Sequence, residues 1–65
     1  MLTAVLDVDG RAVDLGARVA LHPEGTPGEL VEIQARYPRG GWRVVVQPDG
    51  ASCQSVRGAH QIRGL

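Results

Sequence analysis

Hydrophobic and polar residues alternate along most of this 65-residue chain, and glycines and prolines interrupt the alternation about every ten residues. Alternation with a period of two is typical of half-buried β-strands. The short distances between interruptions leave no window for a long helix. The pattern therefore predicts an all-β protein whose short strands are joined by tight turns.

The first predicted element is a β-hairpin over residues 2–15, because Asp9-Gly10 is a favoured sequence for a two-residue turn. Such a turn would place Leu6 opposite Val13. In that register the apolar residues of the hairpin share one face. They are Leu2, Ala4, Leu6, Val13 and Leu15.

Two further strands are predicted over residues 18–22 and 29–37. The intervening segment, residues 23–28, contains two prolines and two glycines and is predicted to be a surface loop. Leu30 falls on the polar side of the alternation in the longer strand, which predicts a β-bulge near Leu30.

A four-residue turn at residues 38–41 would pair Tyr37 with Trp42, and Ile33 with Val46. Arg36 would then lie directly opposite Arg43, with Arg39 in the turn.

The return strand contains the apolar run Val44-Val45-Val46, so Val45 needs cover on the face opposite its two neighbours. A second subunit would make Val45 an interface residue. Alternatively, the N-terminal hairpin of the same chain folds over it. The sequence leaves both arrangements open.

The last third of the chain predicts a turn at residues 48–50, a 3-10 turn within 57–60 and a closing strand over 61–63. The length of the first of these turns is undecided. The facing of three residues after it therefore stays open: Cys53, Gln54 and Val56.

Length and cysteine content predict a single domain, residues 1–65, since a chain of this size has surface enough to bury only one core. Cys53 is the sole cysteine and cannot form an internal disulfide, which favours a reducing, cytoplasmic location. Acidic residues interrupt the first apolar stretch, and no run approaches the roughly 20 residues of a membrane span. A soluble protein is expected.

Charge is divided between the two halves. Residues 1–32 hold six acids and two arginines, a net charge of −4, whereas residues 33–65 hold five arginines and one acid, a net charge of +4. The second half could bind an anion, or two copies could associate head to tail. If the strands interleave the two halves, most of this division cancels in space.

The stretch from Gly16 to Gln47 resembles the SH3-like small barrels, and within them the KOW type. The resemblance is carried by glycines and spaced aliphatic residues: Gly16, Val19, Leu21, Gly25, Gly28, Leu30, Ile33, Val44 and Val46. Asp49-Gly50 and Gln61-Ile62 also resemble the end of such barrels. The resemblance implies a barrel of about five strands over residues 16–65, to which residues 1–15 add a hairpin.

Barrels of this type bind RNA, ribosomal protein, DNA-processing machinery, peptides or modified histone tails, so the resemblance implies a non-catalytic binding module. Aromatic-lined grooves and methyl-lysine cages need several aromatic rings. This chain has only Tyr37 and Trp42, which disfavours those two classes of ligand.

One enzyme also resembles this barrel, the plasmid-encoded type II dihydrofolate reductase, which is a homotetramer around a central pore. It carries a Gln-Ile-Tyr run on the strand before the last turn. The corresponding place here is Cys53-Gln54-Ser55-Val56, without the tyrosine. We therefore expect no enzymatic activity and no cofactor, and a pore-type reductase is a remote alternative.

The candidate binding site is the basic segment, defined here as residues 36–43, which contains Arg36, Arg39 and Arg43 and no acid. Like charges opposite each other destabilise a strand pair, and a phosphate or carboxylate from a partner would offset that cost. Tyr37 and Trp42 could stack on a base.

Two other interpretations of the basic segment stay open. Its arginines could be solvated or paired internally, for example with Glu32. The main alternative function is a protein-interaction or self-assembling homo-oligomeric module.

The sequence predicts neither a metal site nor a catalytic nucleophile. The separations of His22, Cys53 and His60 lack the paired short spacings of zinc sites. Cys53 or Ser55 with His60 is no recognised catalytic arrangement.

Overall fold

The computed structural model describes residues 3–34 and 42–65, which form seven β-strands and one 3-10 turn. The strands are β1 (Ala4–Leu6), β2 (Ala12–Asp14), β3 (Arg18–Leu21), β4 (Pro27–Gln34), β5 (Arg43–Pro48), β6 (Ser55–Gly58) and β7 (Ile62–Gly64). The 3-10 turn is Ala59–Gln61, between β6 and β7. The predicted all-β class is confirmed. None of the helices in the described part of the chain has the length and apolar character that a membrane crossing requires.

The strands form two antiparallel sheets. Strands β1 and β2 form a separate hairpin, and the other five form one sheet in the order β6-β5-β4-β3-β7. The chain thus returns at its end to pair β7 with β3. Strands β6 and β7 are the two edges of the larger sheet, and no pairing between described strands closes it into a barrel.

The core lies on the inner face of the larger sheet, where strand alternation collects aliphatic side chains. Five of these side chains are fully buried: Val19, Leu30, Val44, Val46 and Ile62. Val5 and Val13 of the hairpin pack into the same cluster. Full burial of such a side chain contributes about 1.5–3 kcal/mol, so the hairpin is an integral part of the core.

The predicted register of the N-terminal hairpin is wrong by one residue. Val5 pairs with Val13 and Leu6 with Ala12, so the buried face carries the two valines. Leu6 is 62% exposed and Leu15 is also exposed, although both were expected in the core. A one-residue shift exchanges the two faces of β1 relative to β2, so Leu6 turns outward while Val13 keeps the buried position predicted for it. Leu2 lies outside the described residues.

The cause of this shift is a three-residue loop, Val8–Gly10, in place of a two-residue turn. The N–H of Asp7 donates to the carbonyl of Arg11 at 2.9 Å, and the N–H of Gly10 donates to the carbonyl of Asp7 at 3.0 Å. Gly10 has φ of +79°, as expected for the last position of a three-residue hairpin loop.

The β-bulge predicted near Leu30 is confirmed, because the register of β4 against β5 shifts between Leu30 and Glu32. The bulge leaves Val31 exposed and turns Leu30 and Ile33 inward. The register itself differs from the prediction by two residues, since Ile33 pairs with Val44 and not with Val46. A shift of two residues keeps the same side chains on the inner face.

Several strand boundaries also differ from the prediction. Strand β4 includes Pro27 and Gly28, which were assigned to the loop. Pro27 is the first residue of the strand, a position where a proline is tolerated. The 3-10 turn begins at Ala59, two residues after the predicted start, because β6 continues through Gly58.

Candidate functional site

The loop of the N-terminal hairpin is fixed to the edge of the larger sheet by Asp7, which is only 5% exposed. Its Oδ1 accepts hydrogen bonds from the N–H groups of Asp9 and Arg11, each at 2.9 Å. Its Oδ2 accepts one from the N–H of Gly64 at 2.8 Å. Beside it, the N–H of Val8 donates to the carbonyl of Ile62 at 2.9 Å. The loop therefore covers the outer backbone groups of β7.

The ionisation of Asp7 follows from these contacts. Burial would raise the pKa of this carboxyl group, but hydrogen bonds from the backbone N–H groups of Gly64, Arg11 and Asp9 outweigh burial, and the pKa lies below its usual range. The folded protein thus holds a buried carboxylate whose two oxygens are both occupied.

A pocket of about 550 Å³ opens between the hairpin and the end of the larger sheet. The hairpin contributes Leu6, Val8 and Ala12 among others, and the rest of the chain contributes Trp42, Ala59 and His60. Most of this lining is apolar. Leu6 and Trp42 leave much of their side chains accessible, Trp42 being 40% exposed. This combination of a concave apolar surface and an exposed aromatic ring is typical of a binding site.

Of the predicted binding residues, Trp42 and Arg43 are described by the structure, whereas Arg36, Tyr37 and Arg39 lie outside the described residues. Arg43 is half-buried on β5 and pairs with Gln34. The predicted pairing of Arg43 with Arg36 is therefore wrong. Of the two described residues, Trp42, directly before β5, lines the pocket.

Val45 occupies the outer face of the larger sheet, as its neighbours in the sequence predict. It is nevertheless only 4% exposed, between Glu32 on β4 and Val56 on β6. The buried residues of the hairpin, Val5 and Val13, belong to the inner core cluster, which does not include Val45. Val45 thus offers almost no surface to a partner and needs no second subunit to bury it. Val56, on the same face, is 54% exposed.

The residues whose facing was left open are now placed. Ser55 opposes Val46, so Val56 faces outward beside Val45. Cys53 and Gln54 precede β6 and are exposed. Among residues 3–34 and 42–65, no group of three or more histidine, cysteine or acidic side chains is arranged to hold a metal ion.

Among the residues that the structure describes, three salt bridges join the acidic and basic halves of the chain. Arg57 contacts Glu24 at 2.6 Å, Arg63 contacts Asp9 at 2.8 Å, and both guanidinium Nη atoms of Arg18 donate to the carboxylate of Asp49. These contacts support the interpretation that folding interleaves the two halves, because each pairs residues from opposite sides of the division.

The salt bridges also set the pKa values of their acids. The guanidinium group of Arg57 lowers the pKa of Glu24 to about 2 by hydrogen bonding. A hydrogen bond from Arg18 likewise lowers the pKa of Asp49.

Sequence reasoning missed the hairpin wall of the pocket. Leu6 was placed on the buried face because the turn was taken to have two residues, whereas Ala12 lies on the face opposite Val13, as predicted. The signal that could have corrected this is Asp7 itself, since an aspartate before a turn accepts hydrogen bonds from the following backbone N–H groups.

In comparisons with known proteins, no protein-family model, no curated protein and no solved structure matches the chain.

Proposed function

We propose that this protein is a non-catalytic binding module of the SH3-like small β type, and that its basic segment, residues 36–43, binds nucleic acid. The order of the five strands, with the last strand returning to the first and a 3-10 turn before it, supports the SH3-like assignment. The N-terminal strands β1 and β2 pair with each other and are not part of this five-stranded sheet.

The distribution of charge carries the functional part of the proposal. The basic segment holds three of the seven arginines within eight residues of the sequence, and it holds no acidic residue. It also holds Trp42, which is 40% exposed. Arginines and an aromatic residue close together in the sequence favour a nucleic acid, whose phosphates and bases use both features.

The proposal is tested by fluorescence anisotropy of a labelled oligonucleotide at several salt concentrations. We expect the affinity to fall steeply as salt rises, because bound phosphates release counterions. The variant R36A/R39A/R43A should bind more weakly, and its salt dependence should decrease by about one unit of log–log slope for each phosphate contact removed.

A matched control is R18A/R57A/R63A, which has the same change in net charge at sites outside the basic segment. Exposed salt bridges contribute about 0–1 kcal/mol each, and circular dichroism checks that this variant is folded. The control should retain most of the affinity. Equal losses in the two variants would show that net charge alone governs binding, and absence of binding by the wild type would refute the function.

A further inference from the structure

The two edges of the larger sheet differ in whether other residues occupy their backbone groups. At β7, the N–H of Val8 donates to the carbonyl of Ile62 at 2.9 Å. The N–H of Gly64 donates to Oδ2 of Asp7 at 2.8 Å. At β6, no strand of the described chain pairs on the side away from β5. An exposed strand edge is a template for pairing with another chain, so the edge of β6 is the open edge of this sheet.

The hydrogen bonds around β6 show which of its backbone groups point outward. In an antiparallel pair, residues that bond to the partner strand alternate with residues that point away from it. The N–H of Ala59 donates to the carbonyl of Trp42, on the β5 side, at 2.7 Å. The N–H of Gly58 points away from β5 and donates to Oε1 of Gln61 at 3.1 Å. The register continues without a shift through β6, so both the N–H and the C=O of Val56 point outward.

The side chains of β6 give this open edge an apolar surface with little net charge. Val56 is 54% exposed on the outer face. The one charged residue of the strand, Arg57, is paired with Glu24 at 2.6 Å. Charged residues and prolines on an edge strand discourage pairing between chains. Strand β6 has no proline, and its single charge is already compensated.

We propose that two copies of this protein associate through the open edge of β6, which pairs antiparallel with itself about a two-fold axis at Val56. A two-fold axis perpendicular to the sheet keeps the inner and outer faces aligned, and the residue on the axis lies opposite its own copy. Each Val56 would donate one backbone hydrogen bond to the other copy and accept one. The two exposed valine side chains would be in contact on the outer face.

A second copy fits this edge because the edge is complementary to itself. Val56 offers one donor and one acceptor, which is what two-fold antiparallel pairing requires. In this register Arg57 lies opposite Ser55 of the other copy, so no like charges meet. Since the hairpin loop covers β7, the pairing ends at two copies and does not continue into a fibre. The basic segment takes no part in the contact, so this inference does not depend on the proposed function.

Sedimentation equilibrium of the full chain between about 10 µM and about 1 mM tests the dimer, since a small interface dissociates in that range. We expect the average mass to rise from that of one chain toward that of two. Hydrogen exchange followed by NMR locates the contact in the wild-type protein. The amide of Val56 should exchange roughly fivefold more slowly, or more slowly still, at the highest concentration than at the lowest.

Val56→Lys and Val56→Glu test the position of the axis. Each places two like charges opposite each other at the centre of the dimer, so each variant alone should remain monomeric where the wild type is dimeric. An equimolar mixture of the two should have a higher average mass than either alone, because a lysine then lies opposite a glutamate. Val31→Lys, at an exposed valine of β4 away from the open edge, is the matched control and should dimerise as the wild type does.

Different outcomes overturn different parts of this inference. An average mass that stays at one chain over the whole range would refute the dimer. A Val56→Lys variant that dimerises like the wild type, or a Val56 amide whose exchange does not change as the wild type dimerises, would place the contact elsewhere. A mixture of the Lys and Glu variants that remains monomeric would refute the two-fold register. Circular dichroism checks that each variant is folded, and the exchange of Val56 in the wild type decides where a variant is not.

Discussion

Asp7 shows how one polar residue can decide the geometry of a whole hairpin. It lies between Leu6 and Val8, where strand alternation would continue if the turn were shorter. Its carboxylate instead accepts hydrogen bonds from three backbone N–H groups, two in its own hairpin and one on β7. Hydrogen bonds to a charged acceptor are stronger than those to a neutral one. They offset the cost of burying the charge.

We expect Asp7→Asn to lower the free energy of unfolding by about 1–3 kcal/mol, the cost of leaving a buried hydrogen-bonding group without a partner. An asparagine has one carbonyl oxygen, so its amide NH₂ would face at least one backbone N–H group. Urea denaturation followed by circular dichroism gives the difference. Asp14→Asn is the control, at an exposed residue of β2, and should change stability by less than about 0.5 kcal/mol. Equal stability of the two variants would contradict a structural role for Asp7.

Among the elements, the strands were predictable and their registers were not. Alternating aliphatic residues located β3, β4 and β5 within a few positions, because inner and outer faces follow directly from a period of two. Register depends on loop length. At Asp9-Gly10, the side chain of Asp7 stabilises a longer loop than the predicted one. Between β4 and β5, the described pair Gln34–Arg43 differs by two residues from the register that a turn at residues 38–41 would give, and the turn lies outside the described residues.

The same limit applies to the candidate site. Trp42 was predictable because an aromatic residue near a turn is a local feature of the sequence. The pocket was not, since it requires the hairpin to present Leu6 outward and to lie against the 3-10 turn. That arrangement depends on hydrogen bonds between residues more than 50 positions apart, such as Asp7 and Gly64. No pattern of local spacing contains this information.

Gly28 of β4 lies so close to the backbone of β5 that a Cβ atom does not fit there. A Cβ atom at this position would lie 2.6 Å from the carbonyl oxygen of Gln47 and 2.9 Å from the Cα of Pro48. Both atoms belong to the backbone and cannot move without separating the strands. We expect Gly28→Ala to lower the free energy of unfolding by about 1–3 kcal/mol, as other overpacking changes do.

Denaturant unfolding of Gly28→Ala measures this cost, with Glu29→Ala as its control. Glu29 is the next residue of β4 and is exposed, so its substitution should have an effect below about 0.5 kcal/mol. A Gly28→Ala variant as stable as the wild type would mean that β4 and β5 can move apart at this point.

At the scale of the whole molecule, the aliphatic core stabilises the fold, and the charged groups make that stability depend on pH. The three salt bridges are exposed, and such pairs contribute little to stability at neutral pH. Three carboxylates in different parts of the fold nevertheless have pKa values below their usual range. They are Asp7, Asp49 and Glu24.

We expect stability to be nearly constant between about pH 7 and pH 5 and to fall as the pH decreases further. A carboxyl group whose pKa is lowered by folding stabilises the folded state fully above its unfolded pKa, about 3.9 for Asp and 4.3 for Glu. That contribution disappears as the pH falls through the folded pKa, which for Glu24 is about 2. The unfolded state binds protons first, so acid favours unfolding.

Urea denaturation at a series of pH values between about 7 and 2 measures this decline. Asp7→Asn should flatten it below about pH 4, where the carboxyl group of Asp7 is protonated first in the unfolded state. Glu24→Gln should flatten it between about pH 4.3 and pH 2, the interval between the unfolded and folded pKa values of this carboxyl group. A wild-type protein that is as stable at about pH 3 as at pH 5 would show that these carboxylates have similar pKa values in the folded and unfolded states, and that the contacts of Asp7 do not persist in solution.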